Sequence, residues 1–64
     1  MTVSKAELSS LETAIHELSE RITTAADDLL GTRNEDVATD LYEVERSLRM
    51  ARRRILKASD SLRE

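Results

Sequence analysis

Apolar side chains recur along this chain at alternating steps of three and four. One series runs Leu8, Leu11, Ile15, Leu18, Ile22, Ala25 and Leu29. A second runs Val37, Leu41, Val44, Leu48, Ala51, Ile55, Ala58 and Leu62. A mean step of 3.5 is the heptad spacing of a helix that buries one stripe. A half-buried strand would alternate every second residue, and neither stretch does so. The pattern predicts two helices and no sheet. In heptad letters Leu8, Ile15, Ile22, Leu29, Leu41, Leu48, Ile55 and Leu62 are a positions, and the other residues of the two series are d positions.

One strong break separates the series, at Leu30-Gly31-Thr32-Arg33-Asn34-Glu35. Gly31 suits the left-handed position just past a helix end. Thr32 and Glu35 have the spacing of a capping box, with Asn34 as the alternative cap. Ser4 and Glu7 repeat that spacing at the N-terminus. These signals predict helix 1 from about Lys5 to Leu30, a turn at 31–33, and helix 2 from about Arg33 to Leu62, in a single domain over 1–64. So short a link joins antiparallel neighbours. Folding the chain at Gly31 matches the two series throughout: Leu29 faces Val37, Ala25 faces Leu41, Ile22 faces Val44, and so on to Ser4 against Leu62. Several layers set a large side chain against a small one, which lets helices approach without voids. Glu12 and Arg52 fall on the same side of this seam, where they can pair. Asp28 and Asp40 come close near the turn.

Composition narrows the chemistry. The chain has 64 residues, with no Cys, no Pro, one Gly and one Tyr, and no Phe or Trp. Disulfides and thiolate metal sites are therefore absent. So short a chain buries little surface, and a lone two-helix hairpin is marginal. Leftover apolar or amphipathic residues lean to one flank of the predicted seam, at e and b positions: Ala26, Leu30, Ala38, Tyr42 and Leu56. Pairing hairpins there gives a four-helix bundle. The net charge of −3, from 10 basic and 13 acidic residues, gives no global push toward nucleic acid or anionic lipid. No apolar run approaches the length of a membrane span and there is no signal-like apolar core, so a cytoplasmic protein is expected. The Arg-rich, Lys-poor basic set points to a GC-rich bacterial genome.

Two charge clusters stand out. Arg46, Arg49, Arg52, Arg53, Arg54 and Lys57 put six basic residues within twelve. Their heptad positions, f, b, e, f, g and c, predict a scatter around the helix more than a stripe, and no aromatic residue is interleaved for base stacking. A solvated exterior accounts for most of the cluster. Asp27, Asp28, Glu35, Asp36, Asp40 and Glu43 gather around the bend, where those opening helix 2 complement its dipole. His16, flanked by Glu12 and Glu20, is a weak ligand set, and no metal is expected. No nucleophile elbow and no Gly-rich phosphate loop occurs.

The expectation is an all-α, antiparallel two-helix coiled-coil hairpin, dimerising into a four-helix bundle. Its expected role is that of a small non-catalytic protein–protein interaction module, an adaptor or regulator. The partner is itself, as a homodimer, or another helical protein, with contacts at Ala38, Tyr42, Leu56, Arg49, Arg52, Arg53 and Arg54. No cofactor, small-molecule substrate or membrane is expected. One competing expectation is a nucleic-acid-binding hairpin dimer with Arg46, Arg49, Arg53 and Lys57 on phosphates. The other is a structural oligomerisation subunit of a larger complex.

Overall fold

The computed structural model describes residues 3–63. Two α-helices, α1 (Lys5–Leu29) and α2 (Glu35–Ser61), lie side by side in a hairpin 50 Å long and about 16 Å across. The described residues contain no strand. Side-chain bonds between Glu12 and Arg52, and between Asp27 and Tyr42, tie the two helices together in antiparallel order.

The ends form for local reasons. Ser4 Oγ accepts a 3.1 Å hydrogen bond from the Glu7 amide, the first half of the expected capping box. At the bend Gly31 adopts a φ of 76°, the left-handed region its sequence position called for. Thr32 departs from expectation. Its hydroxyl donates to the Leu29 carbonyl at 2.6 Å and accepts from the Asn34 amide at 3.1 Å. It therefore closes α1 and braces the turn, and α2 starts two residues later than predicted. Asn34 is the N-cap residue but makes no side-chain cap bond. Glu35 and Asp36 supply negative charge in the first turn of α2 instead.

The helix contact differs from the predicted seam in one consistent way. The a positions Leu8, Ile15, Ile22, Leu29, Leu41, Leu48, Ile55 and Leu62 are half-buried, as expected. The second row in the contact is the e row, not the d row. Ala26 and Ala38 are fully buried, Ser19 is buried, and Glu12, Glu45, Arg52 and Ser59 are half-buried. Leu11, Leu18, Ala25, Val37, Val44 and Ala58 are exposed, and only Ala51 of the d row is half-buried. At 100° per residue, d lies about 60° to one side of a and e about 40° to the other. Both helices have turned toward e. Because they are antiparallel, that turn opens both d rows on the same face of the hairpin.

Small residues near the turn and paired charges farther along let the e row sit in the contact. Two alanines with no exposed surface allow the helices to meet tightly beside the turn. Farther along, the half-buried Glu12 carboxylate is neutralised by Arg52 across the contact. Glu45, only 16% exposed, is neutralised by Arg49 one turn on, at 2.7 Å. Polar e residues are tolerated in the contact because each charge there has a partner.

Candidate functional site

The open d-row face is the feature for which the hairpin itself has no use. Leu11, Leu18, Val37 and Val44 are 48%, 42%, 43% and 44% exposed. With Ala25, Ala51 and Ala58 they form two parallel apolar rows without a single charged side chain. The half-buried a residues line the floor between them. No large side chain of the described chain is fully buried. The chain exposes 5159 Å² at a mass of 7.2 kDa, whereas a folded monomer of that mass exposes about 4,100 Å². The excess of about 1,000 Å² compares with roughly 800 Å² covered per partner in a stable protein–protein interface.

The opposite face, formed by e and b positions, is where the sequence pointed for contacts, and the structure fills it differently. Ala38, expected on the flank, lies between the helices with no surface to offer, as does Ala26. Tyr42 is half-buried and its hydroxyl donates to an Asp27 carboxylate oxygen. That hydrogen bond, with some desolvation and the carboxylate's charge, raises the phenol above its usual range. Arg52 is engaged by Glu12, and Arg49 by Glu45. Leu56 and Leu30 remain exposed there as single apolar side chains. The periodicity shows a stripe of two rows, a and d, and so points to the d edge, not to the e edge that closes the hairpin. Ala26 and Ala38, the small e residues on either side of the turn, were the available hint.

The basic cluster is also rearranged. Arg52 turns inward, and the other five basic residues share the outer side of α2. Arg46, Arg53 and Lys57 follow one another at steps of seven and four, and Arg49 and Arg54 flank them within a sector of about 140°. Open grooves run between them, one lined by Arg46, Arg49, Met50 and Arg53, the next by Arg53, Arg54, Lys57, Ala58 and Ser61. Arg46 has only a loose 3.8 Å contact with Glu43, and among the described residues Arg53, Arg54 and Lys57 are not ion-paired. With Arg52 drawn to Glu12, the other five fall in one sector, which Glu43 and Asp60 share. His16 pairs with Glu20 at 2.6 Å while Glu12 turns to Arg52, so the three do not converge. Among the described residues no group of acidic or imidazole side chains is placed to hold a metal ion, and no helix is long and apolar enough to cross a membrane.

No known protein family, curated protein or solved structure matches the chain.

Proposed function

We propose that this hairpin is a small non-catalytic protein–protein interaction module, an adaptor or regulator that works through its open d-row face. Its own second copy is the occupant that the surface suits best: two such faces brought together bury eight a and seven d positions per chain in a four-helix bundle. The observation that carries this reading is the charge-free double row of Leu11, Leu18, Val37 and Val44, left nearly half exposed while polar e residues occupy the helix contact. Large exposed apolar patches mark interaction surfaces in proteins that fold alone. A helical segment of another protein is the competing occupant.

Light scattering over a concentration series tests the proposal, paired with thermal melts followed by circular dichroism. The chain is expected to sediment and scatter as a dimer at high micromolar concentration, with a Tm that rises with concentration. Leu18→Glu is expected to give a monomer whose Tm does not depend on concentration. A wild-type monomer at several hundred micromolar would remove self-association.

A second reading has its own observation. The five-residue basic stripe on the outer side of α2 is opposite in sign to the chain's net charge, and a nucleic-acid backbone is the dense, regular polyanion it would accept. Arg46, Arg49, Arg53 and Lys57 would contact phosphates there. With no aromatic side chain beside them, such contact would be independent of base sequence.

A further inference from the structure

The hairpin's charge is distributed unevenly along its 50 Å length. Residues 18–46, the half that holds the turn, carry eight acidic and three basic side chains, a net −5. The described residues of the open end, 3–17 and 47–63, carry four acidic and seven basic side chains, a net +3. Around the bend itself Asp27, Asp28, Glu35, Asp36, Asp40 and Glu43 have Arg33 as the sole basic residue among them. Apolar packing on the d rows is indifferent to which way a second copy points. Charge is not.

Packed helices lie about 10 Å apart, roughly one Debye length at 0.1 M salt. Two hairpins packed with their turns at the same end would therefore set the −5 halves against each other, with twelve carboxylates and two arginines around the paired turns. Turned end for end, each −5 half meets a +3 half. We propose that two copies pack in this second way, with the turn of each hairpin beside the open end of the other. The proposal rests on the reading that the d-row face is covered by another copy of the chain.

The flanking side chains are consistent with this but do not decide it. On a twofold axis crossing the helices, α2 lies against α2, and the row beside d aligns Asp40 with Arg54 of the second copy and Ser47 with Ser47. On α1 the same operation sets Glu7 near Asp28 of the second copy, which is unfavourable. These rim pairs are exposed and each is worth about 0–1 kcal/mol, so they nearly cancel. The imbalance between whole halves is what remains. One consequence distinguishes the arrangement: the two outer faces of α2 adjoin, so the basic stripes of both copies fall on one side of the bundle.

The full chain has no cysteine, so single labels are readily placed. Asn34 is exposed beside the turn and makes no side-chain cap bond, and Ser10 is exposed toward the open end. Asn34→Cys and Ser10→Cys chains would each carry one nitroxide, and distances between chains would be read by double electron–electron resonance. The expected result is an Asn34→Cys to Asn34→Cys distance of about 35 Å or more, and about 20 Å for the mixed Asn34→Cys/Ser10→Cys dimer, from 1.5 Å of rise per residue. Raising NaCl from 50 to 500 mM is expected to increase the dimer Kd on the order of threefold or more, as the attraction between unlike halves is screened. A dimer with Asn34 labels within about 25 Å of each other, or one whose Kd holds steady or falls with salt, overturns the end-for-end arrangement and leaves self-association standing. A chain that stays monomeric removes both.

Discussion

Tyr42 is the only aromatic residue, so its phenolate absorbance can be followed without interference. Its hydroxyl donates to Asp27, and only the protonated phenol can make that bond, which is why the folded state holds the proton more tightly. A raised folded pKa contributes stability that is fully present below the unfolded phenol's pKa and is lost as pH rises through the folded value. Stability is therefore expected to fall above about pH 10, and Tyr42→Phe is expected to lose that part of the alkaline slope. Identical slopes in the two proteins would mean that the bond does not form in solution. Gly31 sets the second residue-scale prediction. A Cβ there meets nothing within 4 Å, so the cost of Gly31→Ala is conformational alone. It is expected to be about 1–2 kcal/mol, with Gly31→Asn milder, by denaturant titration. That glycine was legible in the sequence because its reason is local. The Tyr42–Asp27 bond was not, since it joins residues 15 apart whose approach depends on how far each helix has turned.

At the scale of the helices, the neighbouring alanines Ala25 and Ala26 separate the predicted seam from the observed one. Ala25 is exposed on the open face, whereas Ala26 is fully buried against α2. Ala26→Leu has no room and is expected to cost about 1–3 kcal/mol through overpacking. Ala25→Leu, at concentrations where the chain is monomeric, is expected to change stability by no more than about 0.5 kcal/mol. Urea denaturation of the two variants would reverse that order if the d row lay in the helix contact. Helix number, the Ser4 cap and the Glu12–Arg52 pairing follow from spacing, because each depends on residues within a turn or on a register set by one short link. The rotation of each helix about its axis does not. Rows d and e both adjoin a, and apolar periodicity picks d; it carries nothing of the paired charges and small residues that let e close the contact.

For the whole molecule, the exposed apolar face and the outer basic stripe are two surfaces on different sides, so both can be occupied at once. If the stripe binds a phosphate backbone, mixed-sequence RNA or DNA should shift at 50 mM salt and be released steeply by 200 mM, since log K falls with log salt in proportion to the phosphates neutralised. Arg53→Glu with Lys57→Glu is expected to abolish the shift while leaving the dimer mass unchanged. No shift at low salt would end the nucleic-acid reading. The stripe was hidden in the sequence by Arg52, which is contiguous with its neighbours in the chain but points into the hairpin to meet Glu12.

By itself the sequence determined that this chain is two long helices joined at Gly31 and folded back on one another, because helix period, end caps and a short turn act over a few residues. The tertiary structure alone decided which edge of the apolar stripe closes the hairpin. Small side chains at Ala26 and Ala38, and charges neutralised across or along the contact, made the e edge the closer fit. The greasier d edge, left facing outward, is where the proposed function resides.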